Sequence, residues 1–290
     1  MMFDIELKNV FLKYKDFEAL KDISLQLEAG KIYGLLGRNG AGKTSLLSLL
    51  SSLQVATEGT IKVGGETAFE NANIMQHVAF LYESDLSDEH DKSKSMLDIV
   101  ERYRPYFDAE YAMHLADRFK LPLDKPVNKL SKGMQSTLGA TMGLACRAPI
   151  TIFDEVYLGM DAPTREIFYQ ELLEDQNNHP RTIILSTHLV SEMDYLFDEV
   201  IIIDKGELVL HEEYEKLVSK GASITGSSGE VDEFVSSMPQ LREQQLGDTK
   251  SVMVYGRLNE EYRLNARQKG LELRPISLQD LFIYLTSEEV

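Results

Sequence analysis

Apolar and polar positions alternate through residues 3–12 and 20–28, with Ile23, Leu25 and Leu27 on one face, a spacing that predicts antiparallel strands buried on one side. The pattern then turns solid. Ile32-Tyr33-Gly34-Leu35-Leu36 predicts a short, fully buried strand, a glycine-rich turn follows, and Leu46, Leu47, Leu49 and Leu50 give residues 44–53 helical spacing. Strand, loop and helix in that order form one unit of an α/β nucleotide fold. Short strands are expected again within 61–82, an acidic loop over 84–94, and helical period over 95–120 and 131–148. Two more buried strands, 150–153 and 182–186, flank a helix from about 163 to 174, and an apolar strand over 200–203 turns at Lys205-Gly206.

After Lys220 the texture shifts. Residues 221–229 are rich in Gly and Ser and read as a linker or exposed turn, so 216–229 is expected to join a large domain over 1–215 to a small α+β domain over 230–290. Within the large domain, residues from about 84 to 148 are expected to form a helical subdomain. The small domain closes on Leu278, Leu281, Phe282 and Leu285, spaced as one face of a helix.

Composition narrows this picture. A chain of 290 residues with 43% hydrophobic content can bury a large core and a small one. No run approaches the roughly 18 to 20 apolar residues of a membrane-spanning helix, and the first residues are acidic where a secretory signal would be basic. The expected location is therefore the cytosol or the cytosolic face of a membrane. One cysteine, Cys146, excludes an internal disulfide and reads as a small buried apolar residue. A formal charge of -17 argues against a general nucleic-acid binder. Residues 1–50 are near neutral, with seven Lys/Arg against six Asp/Glu, so an anionic ligand is tolerated best there.

The candidate chemistry starts in that segment. Gly37-Arg38-Asn39-Gly40-Ala41-Gly42-Lys43-Thr44 fits the P-loop pattern and lies between a predicted strand and a predicted helix. Glycines let successive N–H groups face phosphate oxygens, aided by the positive end of the helix. Lys43 is placed to bridge β- and γ-phosphates and the Thr44 hydroxyl to ligate Mg²⁺, with Ser45 completing the cradle. Thr151-Ile152-Phe153-Asp154-Glu155 ends a buried strand in two carboxylates at a sheet edge where ligands sit. Alone, such a pair is usually a solvated strand end. Beside a P-loop, Asp154 is assigned to Mg²⁺ and Glu155 to polarising the attacking water.

These pieces, in this order, resemble the ABC-transporter ATPases. Leu130-Ser131-Lys132-Gly133-Met134, followed by Gln135, is similar to the LSGGQ signature; Leu158-Gly159-Met160-Asp161 is similar to the D-loop; and Ser186-Thr187-His188 ends the strand where that family carries its switch histidine. Tyr14 stands where an aromatic residue stacks on adenine. Taken singly, a histidine after a strand is more often a surface residue, Tyr14 an ordinary strand tyrosine and Ser131 a helix cap. The resemblance covers residues 3 to about 215. It implies an α/β P-loop NTPase of ABC type, with a mixed central sheet, an N-terminal antiparallel β subdomain and a helical subdomain.

It also implies ATP and Mg²⁺ as cofactors and a composite site, with each ATP held between one subunit's P-loop and the other's signature. Ser131 and Gly133 then contact a γ-phosphate on the opposing subunit, His188 holds it in register with Glu155, and Asp161 communicates across the interface. The partners implied are a second ATPase subunit, identical or not, and a separate transmembrane permease. Three residues depart from the family pattern: Glu83 replaces the usual glutamine, where it is expected to offer oxygen to Mg²⁺; Lys132 replaces a signature glycine; and Val156 replaces a proline. The layout resembles exporters of antibiotics and peptides, and residues 276–286 resemble the tail of Gram-positive systems exporting phenol-soluble peptides. A soluble ABC protein of translation or DNA maintenance is the alternative class, disfavoured by a single P-loop and the absence of a heptad tract. Residues 83–107 are expected to line the cleft that receives a permease helix, and the acids Glu83, Asp85, Asp88, Glu89 and Asp91 raise the hypothesis that this helix is basic.

Overall fold

The computed structural model describes residues 2–256 and 260–287; the parts of the expected 1–215 and 230–290 domains that fall on residues 1, 257–259 and 288–290 lie outside the described residues. The chain opens with β1 (Ile5–Tyr14) and β2 (Phe17–Leu27), then β3 (Ile32–Leu36) and α1 (Lys43–Leu50). β4 (Glu58–Val63), β5 (Glu66–Thr67), a short α2 (Ala72–Met75) and β6 (Val78–Tyr82) follow. The helical period expected over 95–120 resolves into α3 (Ser93–Tyr103) and α4 (Ala109–Arg118). Pro105 separates them: it lacks an N–H and drives Arg104 to extended geometry, φ -114° and ψ 112°. α5 (Lys132–Cys146), β7 (Ile150–Asp154), α6 (Ala162–Asn178), β8 (Thr182–Thr187), α7 (Val190–Met193), β9 (Glu199–Asp204) and β10 (Glu207–Glu213) complete this stretch.

The chain forms two compact units, residues 1–188 with 195–211, and residues 189–194 with 212–290. In the first, β2-β1-β4-β5 make an antiparallel sheet and β10-β9-β3-β8-β7-β6 a central sheet whose β9, β3, β8, β7 and β6 run parallel. β10 returns beside β9 through the Lys205-Gly206 turn, which makes the central sheet mixed. The solid apolar runs are explained by this topology: β3, β7 and β8 are buried at every position because both faces are covered. One core spans both sheets and α1, from Ile5, Leu7 and Ile23 to Leu47, Ile152 and Ile184. Each such side chain contributes roughly 1.5–3 kcal/mol over an exposed one. The α3–α5 region has its own core of Leu97, Ala116, Leu121, Val127, Leu130 and Leu138.

The second unit corrects one expectation. Residues 216–229 are not a linker: α8 (Tyr214–Ser219), β11 (Gly221–Ser227) and the start of α9 (Ser228–Val235) occupy them. At Gly221 and Gly226 neighbouring side chains press on the strand. A Cβ on Gly221 would lie 2.2 Å from Ile276 Cγ2, and one on Gly226 would lie 2.4 Å from Leu271 Cδ2. Ser223 and Thr225 face the Ser251 hydroxyl across the sheet, Thr225 Oγ1 donating to Ser251 Oγ at 2.8 Å. β12 (Gln240–Leu246), β13 (Thr249–Tyr255), α10 (Glu260–Gln268), β14 (Glu272–Pro275) and α11 (Leu278–Leu285) follow. Strand order β12-β13-β11-β14, antiparallel throughout, with a helix after β11 and another after β13, is the split βαβ arrangement. Ile224, Val231, Phe234, Val252, Val254 and Ala266 form its core. Leu278, Leu281 and Phe282 of α11 are buried, in agreement with their spacing.

Candidate nucleotide site

β3 delivers the loop of residues 37–42 to the N-terminus of α1, and the backbone there is shaped by three glycines. Gly40 and Gly42 have φ of 82° and 107°, in the left-handed region. Gly37 sits so close to β9 that a Cβ would meet the Ile203 carbonyl oxygen at 2.8 Å. Ala41 closes the turn by donating to the Arg38 carbonyl at 3.0 Å. Phe17, Asn39, Gly40, Lys43, Thr44 and Ser45 line a groove of about 350 Å³ over this loop. No side chain caps α1, which leaves its first N–H groups available to a ligand in that groove.

Lys43 is 7% exposed and donates to the Gly37 carbonyl at 2.7 Å, with its Nζ 3.5 Å from Glu155 Oε1. The Thr44 hydroxyl donates to Asp154 Oδ2 at 2.8 Å. Ser186 Oγ donates to the other oxygen of the same carboxylate, because Ser186 and Asp154 are directly paired on β8 and β7. The next residue, Glu155, has φ 53°, a left-handed conformation that costs a non-glycine residue about 1 kcal/mol or more and recurs at functional turns. Its Oε1 lies 3.0 Å from His188 Nδ1. Lys43, Thr44, Asp154, Glu155 and His188 are thus brought together at the ends of β3, β7 and β8, though they are spread over 146 positions of sequence.

The donor set suits a hydrated divalent cation. Asp154, 7% exposed, offers carboxylate oxygens beside two hydroxyls, and among the described residues no cluster of three or more His, Cys, Asp or Glu side chains forms a dedicated metal cage. Mg²⁺ is typically bound in this way, through one or two carboxylates, waters and substrate phosphates.

The signature segment lies elsewhere on this unit. Ser131 caps α5, its Oγ accepting from Met134 N at 3.2 Å, which leaves the hydroxyl proton free to donate. Asp161 likewise caps α6, accepting from Thr164 N at 3.0 Å, and hydrogen bonds from Thr164 hold its carboxyl below the usual carboxylate range. Gly133 and Gly159 pack face to face: a Cβ on Gly133 would lie 2.8 Å from the Gly159 carbonyl oxygen. Tyr14 is 41% exposed at the end of β1 and pairs in register with Phe17, so both rings stand at the tip of one hairpin.

Three features were missed by sequence reasoning. Phe17, rather than Tyr14, lines the groove, and the hairpin register is what places it there. Ser186 contacts Asp154, a pairing fixed by strand order. Glu83 is engaged by Lys132, whose Nζ donates to its Oε1 at 3.2 Å, instead of joining Thr44 and Asp154. Cys146 is buried, and desolvation raises its thiol pKa, as the apolar reading requires. Phe80, Leu81, Met96, Leu138 and Met142 line a cavity of about 220 Å³ that adjoins the site, with Glu155 lining both it and the P-loop groove.

Comparison with known proteins gives this geometry its context. The family described as ABC transporter matches residues 20–157. The chain is 30% identical over 301 residues to the Nod factor export ATP-binding protein I of Sinorhizobium fredii, covering 99% of this chain and 87% of that one. It is 30% identical over 220 residues to the ABC transporter ATP-binding protein NatA of Bacillus subtilis, covering 71% of this chain and 86% of the relative. Among solved structures, an ATP-binding subunit of an ABC transporter superposes with a TM-score of 0.67 at 22% identity, over 73% of this chain and 91% of that one. The dimeric bacterial ABC transporter cassette MJ0796 superposes with a TM-score of 0.63 at 21% identity, over 72% and 98%.

Proposed function

We propose, since this chain belongs to the ABC transporter family and is an ATP-binding subunit that hydrolyses ATP to power transport, that it drives an exporter as one half of a pair of composite sites. The observation that carries this reading is the convergence of Lys43 and His188 on one carboxylate oxygen of Glu155 at the mouth of the P-loop groove. Gly37, Asn39, Gly40, Ala41, Gly42 and Ser45 cradle the phosphates through backbone and side-chain donors, and Lys43 leaves its resting carbonyl for the β- and γ-phosphates. Phe17, which lines the groove, and Tyr14, paired with it at the tip of the same hairpin, offer the aromatic surface on which the adenine stacks. Thr44 and Asp154 would hold Mg²⁺, which would supply positive charge to the phosphoryl oxygens. Glu155 orients and deprotonates the attacking water, and His188 keeps that carboxylate aimed.

Ser131 and Gly133 serve the nucleotide of the opposing subunit, and Asp161 lies at the same interface. Closure on ATP and parting after hydrolysis then pull on a separate permease. The apolar cavity beside Glu83 is where we place a permease helix, and the acids of residues 83–91 favour a basic one. The chain is accordingly placed at the inner face of the cell membrane; no helix among the described residues is long and apolar enough to cross it. Export is supported by relatives that carry it in their names and match this chain over 99% of its length. The tail at 276–286 favours amphipathic peptides or antibiotics as cargo.

Glu155→Gln tests the central assignment. Hydrolysis is expected to fall by about 10²–10⁴, the usual contribution of a positioned base, while ATP is retained and the dimer accumulates. Rapid turnover by this variant, read as phosphate release, would remove Glu155 from its role.

A further inference from the structure

Two of the residues that depart from the family pattern touch each other. Lys132, in the signature turn, donates to Glu83, at the end of β6, at 3.2 Å across 49 positions of sequence. We propose that Lys132 is a further triphosphate-binding residue supplied in trans, held in reserve by Glu83 of its own chain and transferred to the opposing subunit's γ-phosphate when the two ATPase units close. This rests on the reading that Ser131 and Gly133 face that phosphate.

Three observations support it. First, local structure gives no reason for a lysine here. Lys132 is the first residue of α5, where the helix dipole disfavours a cation, and the first turn holds no acid to offset it. Its counter-charge comes from Glu83, on another element. Second, the pair is easily exchanged. The two side chains are 83% and 63% exposed, and an ion pair in that setting is weakly held. A triphosphate offers more negative charge and more acceptor oxygens than a single carboxylate, so it outcompetes Glu83 for the ammonium group. Third, only the side chain has room to move. A Cβ on Gly159 would lie 3.1 Å from the Lys132 carbonyl oxygen and 2.3 Å from Ser136 Oγ, and one on Gly133 would press on the Gly159 carbonyl. The backbone carrying Lys132 is therefore fixed beside Ser131 while its Nζ swings on a four-carbon stem.

The geometry points to opposite effects for the two partners. Lys132→Gln is expected to raise the KM for ATP in steady-state hydrolysis by the full-length chain about tenfold, the loss of one charge-assisted contact. Glu83→Gln releases the lysine from its competitor and is expected to lower KM several-fold. The double variant should behave as Lys132→Gln alone, and Lys132→Arg should restore KM to within about twofold. A pair that merely braced the fold would shift both single variants the same way. That result, or an unchanged KM in Lys132→Gln, overturns the proposal. Ser131→Ala separates this from the reading beneath it. If Ser131→Ala impairs hydrolysis while Lys132→Gln does not, the composite site stands and the lysine's role falls; if Ser131→Ala hydrolyses ATP normally, the composite site itself falls. Thermal melting of each variant, expected to match the parent because both side chains are exposed, keeps a folding defect from being read as a binding one.

Discussion

The P-loop edge and the signature turn belong to the same unit but are built differently. At the P-loop edge the three central charged groups already have partners in this chain: Lys43 lies against the Gly37 carbonyl and Glu155, Asp154 against Thr44 and Ser186, and Glu155 against His188. Lys43 and Asp154 are nearly buried. The signature turn is exposed, its Ser131 is occupied in capping its own helix, and its lysine rests on a surface carboxylate. One region is preorganised for a ligand in cis. The other is rigid in backbone but has its donors turned to solvent, which is how half of an interface looks before its partner arrives. Binding of nucleotide and turnover of nucleotide should therefore be separable by mutation.

Lys43→Ala gives the sharpest separation. It removes a buried cation from the groove and is expected to weaken nucleotide affinity by roughly 10- to 100-fold, the equivalent of a charge-assisted contact of about 1.5–3 kcal/mol. Titration with a fluorescent ATP analogue measures this, and unchanged affinity would mean the groove of residues 37–45 is not where ATP sits. Gly159→Val probes the other region with a somewhat smaller effect. Its side chain would enter the space of Ser136 Oγ and the Lys132 carbonyl, and overpacking of this kind costs about 1–3 kcal/mol. Hydrolysis should drop while nucleotide affinity of the isolated subunit is kept. Loss of affinity equal to that of Lys43→Ala would erase the distinction between the two regions. Ser131→Ala is milder: it removes a cap worth about 1 kcal/mol together with the proposed donor to the opposing phosphate. A several-fold fall in kcat with unaltered binding by single subunits is the expected outcome.

The same contrast explains what could be read in advance. The P-loop, Asp154-Glu155 and the signature are contiguous, so their residue types and spacing announce them. What joins them is strand order, and that is set by pairing across the sheet: no local pattern tells that Ser186 lies beside Asp154, or that the β1–β2 register puts Phe17 over the loop. Glu83 is expected to offer oxygen to the metal because it stands where the family carries a glutamine; the structure shows its carboxylate on Lys132, a contact between two departures from the family pattern that lie 49 positions apart in sequence. Pro105 marks a break that the helical periodicity on either side of it conceals. Gly221 and Gly226 suggest a linker in sequence because glycine marks both flexible chain and close packing, and only the positions of Ile276 and Leu271 tell which applies.

Tyr157 connects the two regions and is expected to show the smallest effect. It follows Glu155 by two residues, is fully buried among Phe168 and Tyr169, and donates its hydroxyl to the Ser186 carbonyl at 3.0 Å. Burial keeps the phenol protonated, raising its pKa well above the ordinary value, so the hydroxyl is a permanent donor. It ties the turn that carries Gly159 and Asp161 to β8, which His188 directly follows. Tyr157→Phe keeps the ring and removes only that bond, which should cost about 1 kcal/mol of stability. If the tie also sets the aim of His188, kcat will fall by a larger factor than the stability loss alone predicts, with KM for ATP unchanged. A variant that melts lower but hydrolyses ATP at the parental rate would show that the two regions are held in register by packing, and that the hydroxyl serves the fold only.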